Sequence, residues 1–318
     1  MMTAPATDRD FAGYRGRLPA IRWPGDARLA VSIVVNVEEG AELSVGMGDE
    51  ANEAIYEAVE GVEGARDLCM ESHFEYGTRA GWPRIRNVLR QRGIPATLNA
   101  NGRALALSPW IAQEAMADGH EIASHGWRWE RHVHMSEAAE RSAIARSVAA
   151  LAAAGGARPI GFHTRSATSE RTRALLVEHG GFLYDSNAYN DDLPYVVDVG
   201  GHAHVVLPYA FDTNDMRFFN RGGFTFAEDF SRYCIAAFDR LYAEGANAPR
   251  MLSIGLHLRI IGRPARISGL EQFLDHALSR PGVWFARRDG IARHWRAGAG
   301  LADWSPRPTP AGWECPSP

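Results

Sequence analysis

Four short segments of the chain place carboxylates, imidazoles and guanidiniums directly after apolar runs. They are Asn36-Val37-Glu38-Glu39-Gly40, Ser124-His125-Gly126, His163-Thr164-Arg165 and Gly255-Leu256-His257-Leu258-Arg259. Carboxylate and imidazole are the residue types of general acid–base catalysis: one takes a proton from water while the other gives one to a leaving group. An acid at the end of a buried strand is costly unless it is put to use, which favours a functional reading of Glu38 and Glu39 over one as solvated caps. Neighbouring strand residues face opposite sides, so one of the two looks into a shared site, and Glu38 is the choice. His125 and His257 are the leading imidazoles, with His163 and His73 behind them.

These groups act together only if the fold gathers them. Leu29 to Val37 is a β-branched run that fits a fully buried strand. Further strands are expected near 94–99, 120–124, 160–163, 182–184, 251–258 and 283–286. Helices are expected at 79–92, 109–117, from Ser136 to the Gly155-Gly156 pair, at 170–179 and at 291–295. Two more are expected to open on capping boxes, Thr225-x-x-Glu228 and Ser268-x-x-Glu271. Seven or so strand–helix alternations imply a parallel sheet. At this length a closed α/β barrel is favoured over a doubly wound sheet, because no Gly-x-Gly-x-x-Gly follows the first strand. In such a barrel catalytic groups sit where strands end at one rim, and all four segments above lie at strand ends.

Composition narrows the partners. The 318 residues, 46% apolar, suit one catalytic domain, 1–318, with the barrel at about 20–296, an irregular N-terminal arm and a Pro-rich C-terminal tail. A net charge of −4 with interspersed signs gives no stripe for nucleic acid and no polybasic membrane patch. Cys69, Cys234 and Cys315 are far apart and outside any Cys-x-x-Cys, against both a disulfide framework and a thiolate metal site. The N-terminal residues carry no apolar signal core, and no stretch approaches a membrane span. The expectation is a soluble, cytoplasmic protein with a small-molecule substrate.

The segments Asn-Val-Glu-Glu-Gly at 36–40, Glu-Tyr-Gly-Thr-Arg at 75–79 and Glu-Ile-Ala-Ser-His-Gly-Trp-Arg-Trp at 121–129 carry a family resemblance. So do Gly-Gly-Phe-Leu-Tyr-Asp-Ser-Asn-Ala-Tyr-Asn-Asp-Asp-Leu-Pro-Tyr at 180–195 and Gly-Leu-His-Leu-Arg-Ile-Ile-Gly-Arg-Pro at 255–264. Together, over about residues 20–296, they resemble the metal-independent allantoinase and cyclic imide hydrolase branch of the polysaccharide deacetylase superfamily. The resemblance implies a distorted (β/α) barrel of seven or eight strands, hydrolysis of a ring C–N bond, and a homo-oligomer, often a tetramer. It points to Glu38, His125 and His257 as the catalytic residues.

Metal-dependent members of the superfamily hold a divalent ion with an Asp of the first motif and a His-x-x-x-His pair. Here the first motif offers Asn36, Glu38 and Glu39, and Trp129 stands four residues after His125. A catalytic divalent site wants about three protein ligands and an open position. The expectation is therefore no metal cofactor, with zinc as the minority alternative and His132 or His134 as substitute ligands. Imides and ureides have low-lying carbonyls and need a Lewis acid less. Water still needs a base, Glu38 or Glu39; the ring nitrogen needs a proton; the oxyanion needs donors. His125 and His257 exchange the roles of acid and orienting donor. Planar rings with two carbonyls suit bidentate guanidinium, which selects Arg165, Arg259 and Arg263. Glu39, His73, Trp127, Trp129 and His163 complete the expected substrate pocket. His132 and His134 otherwise read as a surface stretch, and Asp185, Asp191 and Asp192 as turn organisers. Two other functions remain open: a metal-dependent N-deacetylase of an amino sugar or small acetamide, and a non-catalytic binding barrel.

Overall fold

The Leu29–Val37 run forms strand β1, every residue of which is buried. In this computed structural model, which describes residues 9–55, 57, 60–165 and 167–313, β1 pairs in parallel on both sides, which is why its sequence is almost wholly apolar. The other strands are β2 (Ala96–Ala100), β3 (Glu121–Ser124), β4 (Gly161–Phe162), β5 (Tyr184–Asp185), β6 (Tyr195–Val199), β7 (His202–Val206), β8 (Arg250–His257) and β9 (Val283–Phe285). They form one sheet in the order β6-β7-β5-β4-β3-β2-β1-β8, with β9 also paired to β1. Every pairing is parallel except that of β6 with β7.

The helices are α1 (Leu68–Tyr76), α2 (Trp82–Gln91), α3 (Gly102–Leu107), α4 (Pro109–Ala117), α5 (Glu137–Gly155), α6 (Thr172–His179), α7 (Ala227–Glu244), α8 (Leu258–Ile261), α9 (Pro264–Leu278) and α10 (Arg288–Gly298). The sheet curls so that the segment after β7 meets β8: Gly255 N–H donates to Thr213 O at 3.0 Å and Asn214 bridges to Gly255. This seam replaces a full strand pairing, and it is what distorts the expected (β/α) barrel.

The alternation of β1 decides what faces the interior. Leu29, Val31, Ile33, Val35 and Val37 join the main apolar cluster with side chains of α2, α7 and α9. Asn36, two before Glu38, shares the other face and turns toward the barrel mouth, where both line one cleft.

Three expectations are corrected. Ser268 and Glu271 lie inside α9, which opens at Pro264, so they cap nothing. At α7 the cap is made by Asp229, whose Oδ2 accepts from Thr225 N–H at 2.9 Å and Phe226 N–H at 2.8 Å; Glu228 takes no part. The helix expected from Arg79 begins at Leu68 and runs through a π-helical turn, Gly77–Gly81, into α2. The β6–β7 hairpin was not anticipated from the sequence. Cys315 and the outermost residues of arm and tail lie outside the described residues.

Candidate active site

Glu38, just past β1, points into a cleft of about 660 Å³ that is also lined by His125, His163 and His257, which follow or end β3, β4 and β8. Glu38 Oε1 lies 3.3 Å from His125 Nε2 and 3.5 Å from His257 Nε2, so one carboxylate oxygen faces both rings. Its other oxygen takes Arg259 Nη1 at 2.8 Å. The other nitrogen of each ring is anchored. His125 Nδ1 donates to the carbonyl of His163 at 2.9 Å, and His257 Nδ1 bonds Asp215 Oδ1 at 2.6 Å. A carbonyl only accepts, so His125 Nδ1 carries a proton, and Nε2 faces Glu38 and the cleft.

The charges alternate: Asp215, His257, Glu38, Arg259. Burial alone would push the Glu38 carboxyl up. The nearby His257 and Arg259 charges, with hydrogen bonds from both histidines, hold it well below the usual carboxylate range. Burial likewise opposes charge on His257, yet Glu38 and Asp215 overcome it and push the imidazole up to about 9. His163 is held well below the ordinary histidine value, chiefly by burial and then by the positive potential of His125 and Arg288. The resting cleft therefore pairs an ionised carboxylate with a protonated His257 and a neutral His163.

Sequence reasoning missed Asp215, which no local pattern marks. It sits in a 3-10 turn (Asp215–Phe218), and besides the His257 ring its Oδ2 takes the backbone N–H of His257 at 2.7 Å and of Ile261 at 3.0 Å. Tyr209 and Asn214 were also missed, although both line the cleft.

Of the expected pocket residues, His163, Trp129 and Arg165 line the cleft. Arg165 stacks on Trp129, its guanidinium carbon 3.4 Å from the ring centroid, and pairs with Glu53 at 3.2 Å. Arg259 is buried and held by Glu38, and by Glu39 at 3.6 Å, and it does not line the cleft. Four other expected residues do not reach the cleft. Glu39 takes the opposite side of the chain from Glu38 and packs over Gly77, where a Cβ would overlap its carboxylate; burial pushes it up to about 7. Trp127 packs against Gly102 and under the Arg146 guanidinium, 4.1 Å from its centroid. His73 and Arg263 contact each other at 3.2 Å, with Arg263 stacked on Tyr76. Their strand-end or motif neighbourhood is right, but the turn of the chain aims them elsewhere.

His132 is not a surface residue. It is buried, its Nδ1 3.2 Å from Glu140 Oε1, and Glu140 also accepts from Ser169 Oγ at 2.6 Å. His134, exposed, lies on the cleft rim. Asp185 is buried between Arg173 at 2.8 Å and His204 at 3.0 Å, an ion-paired core group rather than only a turn residue. Asp191 does organise a turn, accepting from Leu193 N–H at 3.0 Å. Among the described residues no group of three or more His, Cys, Asp or Glu side chains is arranged to hold a metal ion, and no helix is long and apolar enough to cross a membrane.

Comparison with known proteins agrees with this architecture. A family model described as "Polysaccharide deacetylase" matches residues 65–182. A Schizosaccharomyces pombe protein described as "Putative polysaccharide deacetylase" is 35% identical over 314 residues, spanning 91% of this chain and 97% of its own. The crystal structure of a "probable Polysaccharide deacetylase" from Pseudomonas aeruginosa PAO1 is 47% identical with a TM-score of 0.88, covering 92% of this chain and 98% of its own. That of "Puue Allantoinase" is 45% identical, also with a TM-score of 0.88 and the same coverage. This curled sheet, with acid and imidazoles at the ends of its strands, is that of a hydrolase, and the chain belongs to the polysaccharide deacetylase family.

Proposed function

We propose that the protein hydrolyses a C–N bond of a small cyclic amide, imide or ureide, using its own side chains without a resident metal. The observation that carries the reading is the shared contact of Glu38 Oε1 with His125 Nε2 and His257 Nε2. Water held there lies against an ionised carboxylate and beside a protonated imidazole. As water adds to the ring carbonyl, Glu38 takes its proton. His257, charged by Asp215, gives a proton to the ring nitrogen as the C–N bond breaks. The products are a carboxylic acid, which loses its proton to solvent, and an amide or amine on one opened chain, while the proton on Glu38 returns to His257. His125, fixed by the His163 carbonyl, orients Glu38 through their direct 3.3 Å contact.

The donor set does not fit a divalent ion. Glu38 is already shared between the permanent cation Arg259 at 2.8 Å and the protonated His257 at 3.5 Å, so a divalent ion at that carboxylate would meet two cations. The position four residues beyond His125 is filled by the Trp129 indole with Arg165 stacked on it. The substrate class draws on the 45% identity to an allantoinase and on the size of the cleft, which falls in the small-molecule range of roughly 300–1,000 Å³.

Purified protein, exhaustively dialysed against chelator, tests the proposal on a panel of hydantoins, succinimides, dihydropyrimidines and allantoin, with N-acetylated amino sugars alongside. The expected result is a water-adduct mass for at least one ring at an undiminished rate. Release of acetate from the sugars alone, restored only by added zinc, would replace the reading with metal-dependent deacetylation.

A further inference from the structure

The proposed reaction leaves one requirement unmet: a donor for the oxyanion that forms on the carbonyl oxygen. We propose that the phenol of Tyr209 is that donor, a catalytic residue that neither the motifs nor the strand ends announce. The inference rests on the hydrolytic reading of the cleft, whichever ring or acetamide is cleaved.

The argument is a count of hydrogens. Tyr209 is buried, and its hydroxyl oxygen receives Asn36 Nδ2 at 3.1 Å and Asn214 Nδ2 at 3.3 Å. Each amide is fixed in orientation by the backbone. Asn36 Nδ2 also donates to Leu256 O at 3.0 Å, and Asn214 Oδ1 accepts from Met216 N–H at 2.9 Å, so in both it is the NH₂ that meets the phenol. Tyr209 is thus the acceptor in both bonds, and its own proton has no acceptor among the described residues. Tyr209, Asn36 and Asn214 all line the cleft that holds Glu38, His125 and His257, and the Tyr209 ring lies 4.8 Å from that of His163.

Two features make this phenol a good donor. A hydroxyl that accepts two hydrogen bonds is polarised and gives a stronger one. Burial raises its pKa further above the ordinary tyrosine value, so the proton stays in place throughout the working range. The backbone is also shaped for it: a Cβ at Gly255 would overlap both the Tyr209 hydroxyl and the Asn214 amide. In the reaction the Tyr209 O–H shortens onto the carbonyl oxygen as negative charge develops and stays with Tyr209 when the carbonyl re-forms. No proton is transferred and none is needed.

The test is Tyr209→Phe, assayed on whichever substrate of the ring and N-acetyl panel wild-type protein cleaves best. Loss of a single oxyanion donor predicts a fall in kcat of about 10²–10³-fold, with KM within about threefold because the ground-state carbonyl is held less tightly than the oxyanion. The alkaline limb of the pH profile stays in place, since it belongs to His257; a merely structural defect that displaced Glu38 from His257 would move it. If Y209F does not fold, Asn214→Ala, which keeps the phenol and removes one of its two fixing donors, carries the same readout with a loss of about tenfold. An unchanged kcat, or a rise in KM with kcat intact, overturns the assignment while leaving ring opening standing. Absence of turnover by wild-type protein on every substrate overturns both.

Discussion

At the residue scale the site is a chain of alternating charges, and its pH dependence follows from that order. In the proposed reaction His257 acts as an acid only while protonated. Glu38 and Asp215 push it up to about 9, so kcat/KM should fall as pH rises through about 9. The proposed base, Glu38, works only while ionised and is held well below the usual carboxylate range, so the acid limb should lie below that of an ordinary glutamate. Asp215→Asn removes one of the two charges that raise His257. The upper limb should then move down from about 9 toward the ordinary histidine value of about 6.5. Profiles of kcat/KM for wild type and D215N measure this shift, and an unmoved limb would detach His257 from the acid role. Part of this was legible in advance: the meeting of Glu38, His125 and His257 in one cleft was expected because acids and imidazoles recur at strand ends and the motif resemblance points to the same three. Asp215 was not, because its role depends on a contact made across 42 residues with no local signature.

At the element scale, close backbone approaches set the angle between the motifs. The π-helical turn Gly77–Gly81 lies against α8, the short helix after His257, and a Cβ at Gly81 or Gly262 would overlap the Leu258 carbonyl. Leu258 is the neighbour of Arg259, which holds Glu38. Gly81→Ala should therefore cost about 1–3 kcal/mol of stability by overpacking and lower activity by shifting Arg259. Denaturant midpoints read the first and turnover the second; an unchanged midpoint would show that the approach is not tight. Elements were legible where one pattern dominated, as in β1 or α5 with its Ser136 cap and Gly156 in the left-handed conformation. The Ser268-x-x-Glu271 spacing misled because the same three-residue interval recurs within any helix, and Pro264 marks the true start. The β6–β7 hairpin had a signal that went unread: Gly200 and Gly201 both have positive φ, as a two-residue hairpin turn requires.

At the scale of the whole molecule, curling of the sheet brings together side chains from opposite ends of the sequence. Arg288, fully buried, ties the interior: its guanidinium donates to Ser186 Oγ at 3.0 Å, Ser253 Oγ at 2.9 Å, Leu207 O at 2.6 Å and Pro208 O at 3.0 Å. With no carboxylate among these partners its charge adds to the positive potential that keeps His163 neutral. The distorted barrel was legible from the run of strand–helix alternations and the motif resemblance. The seam at Gly255 was not, since it joins a segment without strand pattern to β8. What the curl achieves is the placing of Glu38 between two imidazoles, and the activity is argued to follow from that. Steady-state turnover of Glu38→Gln on the best ring substrate tests this most directly, because the change keeps the shape and removes the charge. The account predicts a loss of kcat of about 10²–10⁴-fold in a protein that remains folded; a variant retaining wild-type turnover would contradict it.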